Sequence, residues 1–121
     1  MIRLVLPLPP SANRMYRSQI IRGRPTSIKS EVYRGYEGIC GKEVMAQAAR
    51  EVVPEGLLSF SAWMFWGDRR RRDTDNYIKV LQDVVSRTLG FDDFRISEVH
   101  VFRRHDKDNA RCIVEIQEVL R

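Results

Sequence analysis

The sequence predicts an α/β fold of the α+β kind, in which a single mixed β-sheet carries two packed helices. Three observations lead to this prediction. The 121 residues are 43% hydrophobic, which is enough for the core of one compact domain spanning residues 1–121. Segments of strand character and of helical periodicity follow one another in the order β, β-hairpin, α, β, α, β, β. Neither repeats nor low-complexity linkers interrupt that order, which is typical of one sheet with helices on it.

The first quarter of the chain is predicted to hold a strand and a hairpin. Residues 1–6 are aliphatic and β-branched, as in a strand, and Pro7 ends the run. Residues 15–28 are polar and basic, and a turn signal at residues 22–25 divides them into two arms. We therefore expect a hairpin whose tip faces solvent.

The middle of the chain is predicted to form a helix followed by a central strand. Apolar side chains recur at helical spacing across residues 30–52, and Ser30 is a suitable N-cap. Three glycines inside this helix weaken the prediction, because each costs about 1 kcal/mol relative to alanine. Residues 57–66 are aromatic-rich and apolar on both faces, which predicts a strand in the middle of the sheet.

The second half is predicted to form one more helix and two strands. Residues 75–89 carry apolar side chains in i, i+3, i+4 order, and Gly90 is a natural residue to end a helix there. A loop follows at residues 91–94. Residues 96–104 and 110–119 read as strands, and the polar turn between them predicts a hairpin.

The net charge and the two cysteines indicate which partners, metal sites and cellular compartment to expect. The formal net charge is +5, and the positive charge is concentrated in short runs, which favours nucleic acid as a partner. Cys40 and Cys112 are far apart and have no zinc-ligand spacing, so we expect reduced thiols in a cytoplasmic protein. No window approaches the ~20 apolar residues of a membrane span, so no membrane partner is expected.

Residues 68–79 contain most of the side chains that suit binding of a polyanion and a metal ion. Four arginines, Arg69, Arg70, Arg71 and Arg72, run directly into Asp73 and Asp75 at the start of the second helix. Arginines suit a polyanion, and clustered carboxylates suit a divalent metal because hard cations take oxygen ligands. The alternatives are a solvated arginine run and aspartates that only cap the helix. Lys79 lies four residues after Asp75 on the same helical face, either as its solvated partner or as a cation beside the scissile phosphate.

Two further aspartates, Asp93 and Asp83, lie close enough in the sequence to be considered for this site. The predicted helix is about 20 Å long, so Asp93 can join Asp73 and Asp75 only if the chain folds back. Spacing alone therefore supports a two-carboxylate site with Asp93 as a conditional third ligand. Asp83 continues the face of Lys79, and we expect it at the surface.

Other basic and aromatic side chains are candidates for DNA contacts. The arginine run can form a phosphate clamp if its backbone is held in place. Phe91 and Phe94 flank the acidic loop and are candidates for a wedge between bases or for core packing. The remaining candidate DNA-binding residues lie in the proline-rich loop and the hairpin: Asn13, Arg14, Arg17, Arg22 and Arg24.

The combined motif resembles the RusA endodeoxyribonucleases, which are Holliday junction resolvases common in phages and prophages. The resemblance is carried by Arg-Arg-Arg-Arg-Asp-Thr-Asp-Asn at residues 69–76, Lys79, Gly-Phe-Asp-Asp at residues 90–93, and Leu-Pro-Pro-Ser-Ala-Asn-Arg at residues 8–14. It implies Asp73, Asp75 and Asp93 as metal-binding catalytic carboxylates, with Lys79 as the catalytic cation. It also implies a fold-back that brings Asp93 to the other two.

The resemblance further implies a homodimer that binds a four-way DNA junction and cuts two strands symmetrically. It implies Mg²⁺ as the cofactor, with Mn²⁺ as a substitute, and a bacterial or phage-encoded protein. The sequence therefore predicts a magnesium-dependent Holliday junction resolvase. The alternatives are a non-catalytic, structure-selective nucleic-acid-binding module and a nuclease for flaps or other branched substrates.

Overall fold

A computed structural model describes residues 1–119 as an α+β structure, which confirms the predicted fold class. Short 3₁₀ turns occur at Ala12–Arg14 and Asp93–Arg95. The longer elements, in chain order, are β1 (Ile2–Leu6), β2 (Tyr16–Ile21), β3 (Arg24–Lys29), α1 (Glu31–Gln47), β4 (Leu58–Trp66), α2 (Asp75–Leu89), β5 (Ile96–His105) and β6 (Arg111–Glu118).

Four strands form a mixed sheet in the order β1-β6-β4-β5. β4 is parallel to β5 and antiparallel to β6, and β1 is antiparallel to β6. β4 therefore lies inside the sheet, as its apolar sequence predicted. β2 and β3 pair only with each other and form the expected hairpin, whose turn is Arg22-Gly23.

The predicted hairpin between the last two strands is wrong, because β4 lies between β5 and β6. The polar turn is present, and the Asp106 carboxylate accepts hydrogen bonds from the backbone N–H groups of Asp108 and Asn109. The turn crosses over the end of β4, where the Asp106 N–H donates to the Trp66 carbonyl at 2.9 Å. β5 is largely exposed, which suits an edge strand, whereas Cys112, Val114 and Ile116 of β6 are fully buried.

The hydrophobic core lies between one face of the sheet and the two helices. On β1, β4 and β6 buried residues alternate with more exposed ones, as expected when one face of a sheet is covered. Leu4, Phe60 and Val114 from the sheet and Val44 and Leu81 from the helices are all 0% exposed. The opposite face of the sheet carries Trp63 stacked on Phe102, with ring centroids 5.1 Å apart.

Helix α1 ends five residues before the predicted boundary. Gln47 is its last residue, and its side-chain amide pairs with both backbone groups of Val5 on β1, at 2.7 Å in each case. Val52, which the periodicity placed on the helix, is 84% exposed. The start of the helix agrees with the prediction, because the Ser30 hydroxyl accepts a hydrogen bond from the Tyr33 N–H at 3.1 Å.

A polar link joins the two helices inside the structure. The hydroxyl of Tyr33, whose side chain is fully buried, donates to the Asp83 carboxylate. Asp83 also pairs with Arg87 one turn further along α2, with Nε and Oδ1 3.4 Å apart. We expected Asp83 at the surface, and its side chain is instead half-buried, 21% exposed, and bound by Tyr33 and Arg87. None of the helices within residues 1–119 is long and apolar enough to cross a membrane.

Candidate active site

The carboxyl ends of three strands meet at one edge of the sheet. β1, β4 and β5 all run in the same direction, because β1 and β4 are each antiparallel to β6 and β5 is parallel to β4. The segments that leave these strands, residues 7–15, 67–75 and 105–110, are called the site edge below. Ligands of open sheets are commonly bound at the carboxyl ends of strands, because the loops there are free to carry function.

The hairpin is rooted at the same edge. The Ser30 N–H donates to the Met15 carbonyl at 2.8 Å, and the Ser30 hydroxyl donates to the carbonyl of Arg14. These bonds join the two ends of the hairpin to the segment that follows β1. Five of the candidate DNA-binding residues lie in that segment or on the hairpin and are exposed, namely Asn13, Arg14, Arg17, Arg22 and Arg24.

Asp73 and Asp75 are exposed at the start of α2. Thr74 is the N-cap, but its side chain makes no capping hydrogen bond, and Asp75 is the first helical residue. Within residues 1–119 neither aspartate side chain forms a hydrogen bond or an ion pair. Capping therefore does not account for the two carboxylates.

Lys79 is exposed one turn further along α2. It forms no ion pair with Asp75 or with any other carboxylate in the described part of the chain. The solvated Asp75–Lys79 pair, which was the alternative explanation for this spacing, is absent from the structure. The ammonium group is left free to meet a ligand of opposite charge.

Asp93 lies at the opposite edge of the sheet. It begins the 3₁₀ turn before β5, and Ile96, the first residue of β5, is in register with Leu58, the first residue of β4. Helix α2, which begins at Asp75 and precedes Asp93 in the chain, is about 21 Å long. The implied fold-back is not found within a single chain, because Asp93 stands just before the beginning of β5, next to the start of β4.

The surroundings of Asp93 hold it in that position. Asp92 caps the turn by accepting the Phe94 N–H at 2.9 Å. Arg95 donates to the carbonyl of Gly56 at 2.9 Å and to that of Pro54. Consistent with this placement, residues 1–119 contain no cluster of three or more His, Cys, Asp or Glu side chains able to hold a metal ion.

The two phenylalanines beside Asp93 have different environments. Phe91 is only 9% exposed and belongs to the core, whereas Phe94 is 86% exposed. Core packing is therefore the correct interpretation for Phe91. For Phe94, a contact with DNA bases remains a prediction.

The four arginines of the run are not equivalent. Arg72 turns inward, where Nη1 and Nη2 lie 2.7 and 3.2 Å from the two carboxylate oxygens of Asp68. Its guanidinium also stacks over the Trp66 ring at 4.1 Å, and its side chain is only 9% exposed. The hydrogen bond from Arg72, followed by one from the Arg70 N–H, lowers the pKa of Asp68 to about 2. Arg69, Arg70 and Arg71 are exposed.

Sequence reasoning missed a basic group on β5. Arg103, Arg104 and His105 form the carboxyl end of this strand, next to the end of β4. They line a cavity of about 420 Å³ together with Trp66, Asp68 and the exposed part of the arginine run. The sequence signal is a basic triplet at the end of a predicted strand, but its significance depends on β5 lying beside β4.

A sequence model of the endodeoxyribonuclease RusA family matches residues 7–117. The chain belongs to the RusA family. The match begins at the proline-rich loop of the site edge and includes both helices and the sheet strands β4, β5 and β6. The RusA family is one of endodeoxyribonucleases, so this membership supports nuclease activity for the chain. A comparison with curated proteins found no significant match.

Proposed function

We propose that this RusA-family chain is a divalent-metal-dependent Holliday junction resolvase that acts as a homodimer. The observation that carries the proposal is the pair of exposed carboxylates of Asp73 and Asp75 directly after the exposed arginines Arg69–Arg71. Neither carboxylate has a structural partner within residues 1–119, although cations surround them. The site therefore combines a place for a metal ion with a surface for a polyanion.

Asp73 and Asp75 would hold the metal ion, Mg²⁺ or in its place Mn²⁺. Carboxylate oxygens are the ligands that such hard cations prefer, and both carboxylates are free to bind. When bound, the ion supplies charge neutralisation at the phosphate and a water of lowered pKa. Two carboxylates leave coordination positions on the metal ion for a third, and the family resemblance assigns that third position to Asp93.

A homodimer would provide the third carboxylate. Within one chain Asp93 lies at the edge opposite Asp73 and Asp75. If a second copy packed its Asp93 edge against the site edge of the first, it would bring its own Asp93 to Asp73 and Asp75 of the first copy. Two-fold symmetry would then complete both sites at once, because an isologous contact is made twice. This arrangement suits a four-way junction, in which two equivalent strands are cut.

The cations would bind and orient the DNA. Lys79 lies one helical turn from Asp75 and would stabilise the negative charge that develops on the phosphate in the transition state. Asn13 and Arg14 in the proline-rich loop, and Arg17, Arg22 and Arg24 on the hairpin, would contact the backbones of the junction arms. The two ends of the hairpin are joined at Met15 and Ser30, next to the segment that follows β1.

The decisive experiment is the cleavage of a synthetic mobile four-way junction with and without Mg²⁺, beside a linear duplex of the same sequence. We expect paired nicks in the junction only when Mg²⁺ is present. Asp75→Asn should abolish nicking while junction binding persists, because the amide keeps the shape of the side chain but loses the charge that binds the metal. Arg3→Gln, on the β1 side of the sheet, is the control.

Three results would contradict the proposal. Nicking by Asp75→Asn at the wild-type rate would contradict the metal site. Junction binding without any metal-dependent cleavage would instead favour the non-catalytic binding module. Faster cleavage of flaps than of four-way junctions would favour the nuclease for other branched substrates.

A further inference from the structure

The cavity at the ends of β4 and β5 is lined mainly by arginines. Its walls carry five guanidinium groups, from Arg69, Arg70 and Arg71 on one side and Arg103 and Arg104 on the other. His105 completes the lining beside Trp66. Its one acidic lining residue, Asp68, is already paired with Arg72. We call this cavity of about 420 Å³ the basic pocket.

The five arginines of the basic pocket have no carboxylate partners. None of them forms an ion pair within residues 1–119, whereas Arg72, Arg87 and Arg111 each do. Like charges held around one cavity repel each other and destabilise the folded chain, unless an anion occupies the space between them. The arrangement is therefore matched to a ligand with several negative charges.

The pocket is held in shape by the contacts of Arg72 and Trp66. Arg72 binds Asp68 through Nη1 and Nη2 and stacks over Trp66, so the loop between β4 and α2 is fastened to the end of the strand. Tyr77 packs edge-on against Trp66 with ring centroids 4.9 Å apart, which adds the first turn of α2 to the same unit. The buried Nε1 of Trp66 has no hydrogen-bond partner in the described part of the chain, so this lining residue keeps a free donor.

The chemistry of guanidinium selects the ligand class. Arginine donates two parallel hydrogen bonds to a phosphate, and several arginines on two walls suit a chain of phosphates better than one small anion. Arg71 is two residues from Asp73, so their Cα atoms are at most about 7 Å apart. A phosphate in the pocket would then lie within about one or two nucleotides of the bond cut at the carboxylates.

We propose that the basic pocket binds backbone phosphates of the duplex arm next to the cut, with Arg103 and Arg104 of β5 as ligands opposite Arg69–Arg71. This inference rests on the proposed nuclease function and extends it to residues on a strand outside the acidic motif. Arg72 is the positioning residue that holds the pocket loop, and the exposed arginines make the contacts.

The test is a salt titration of DNA binding by the variant Arg103→Gln/Arg104→Gln. A fluorescent four-way junction and a matching linear duplex are titrated from about 50 to about 200 mM salt, with Ca²⁺ replacing Mg²⁺ to separate binding from cleavage. Each lost phosphate contact lowers the log–log salt slope by about 0.9, so we expect a decrease of about 1.8 on both DNAs. Affinity at the lower salt concentration should fall on the order of tenfold or more.

The matched control is Arg3→Gln/Lys42→Gln, which removes two positive charges from the β1 side of the molecule, away from β5. It should keep the wild-type slope. If the β5 variant does not fold, Arg69→Gln/Arg71→Gln on the opposite wall should show the same decrease. An unchanged slope in the variant that folds overturns the inference and leaves the nuclease proposal standing. A wild-type protein that binds no DNA overturns both.

Discussion

Three charged side chains at the start and in the first turns of α2 have no structural partner within residues 1–119. Asp73, Asp75 and Lys79 are exposed, and neither capping nor an ion pair occupies them. Arg72 shows the contrast, because a residue of the same type as its neighbours is buried and bound to Asp68. Side chains left free on a surface where others are paired are the ones available to bind metal and DNA.

Lys79→Ala should slow the chemical step by about 10²-fold or more, the scale of losing one group that stabilises transition-state charge. The single-turnover rate of junction cleavage at saturating protein and Mg²⁺ measures this step. The Mg²⁺ concentration for half-maximal rate should change little, because the ammonium is not a metal ligand. Lys42→Ala on α1 is the matched control.

A Lys79→Ala variant that cleaves at the wild-type single-turnover rate would show that Lys79 has no role in the chemistry. If the Mg²⁺ concentration for half-maximal rate were instead tenfold lower in that variant, Lys79 would mainly oppose metal binding.

At the scale of elements, a partly exposed polar network joins α1, α2 and the hairpin. Tyr33 donates to Asp83 across the helix pair, and Glu37 on α1 binds Lys29 at the end of β3 at 3.1 Å. Arg87 bridges the two parts, since it lies 3.4 Å from Asp83 and 3.6 Å from Glu37. The hairpin that carries the candidate DNA contacts is thereby attached to the same helices that support the carboxylates.

Burial, together with the hydrogen bond to Asp83, raises the pKa of Tyr33 above its usual value. The folded chain therefore keeps the phenol proton at a pH where the unfolded chain releases it. This contribution to stability is complete below the unfolded pKa of about 10 and is lost as the pH rises further.

Tyr33→Phe should therefore lower the free energy of unfolding at pH 7 by about 1 kcal/mol, the typical value of one hydrogen bond. Its stability should also fall less steeply than that of wild type above about pH 10. Urea unfolding at a series of pH values measures both effects. The control Tyr16→Phe alters an exposed hydroxyl on the hairpin and should unfold like wild type at pH 7. Equal steepness in the Tyr33→Phe and wild-type curves would contradict the prediction.

At the scale of the whole molecule, the candidate metal ligands are divided between two opposite edges. Asp73 and Asp75 lie at the carboxyl end of β4, and Asp93 lies at the amino end of β5. Under the proposed function, a site with all three carboxylates would therefore take Asp93 from a second copy of the chain. The proposed homodimer would then be a condition of catalysis as well as a match to the symmetry of the junction.

Mixing two inactive variants tests this division. Asp75→Asn and Asp93→Asn should each abolish cleavage, but a heterodimer of the two keeps one site in which all carboxylates are intact. Random mixing makes about half of the dimers heterodimers, so about one quarter of the wild-type sites should be active. These sites should give single nicks in place of paired ones. The measurement is junction nicking after co-refolding of equal amounts.

The control mixture combines Asp73→Asn with Asp75→Asn. In a shared site, Asp73 and Asp75 come from the same chain. A dimer of these two variants therefore lacks one of these carboxylates in each of its two sites. Recovery in the first mixture but not in the control would support the shared site. No recovery in either mixture would contradict it.

The sequence by itself determined the features that depend on neighbouring residues. The helix α2 with its left-handed Gly90 at φ 77°, the Arg22-Gly23 hairpin and the N-cap at Ser30 all follow from local turn and capping chemistry. The apolar character of β4 likewise predicted its inner place in the sheet. The arginine and aspartate motif predicted the family and the two-carboxylate part of the site, because its members are adjacent in the chain.

Only the tertiary structure decided strand order and everything that depends on it. A turn specifies that the chain reverses, but which strands then pair depends on the burial of surfaces far apart in sequence, and this is why β6 lies beyond β4. The same packing brings Arg103 and Arg104 to the arginine run and turns Arg72 inward onto Trp66. It also leaves Asp93 at the start of β5, with the whole length of α2, about 21 Å, between it and Asp75 in the chain, since spacing in the sequence measures distance along the chain and not direction in space.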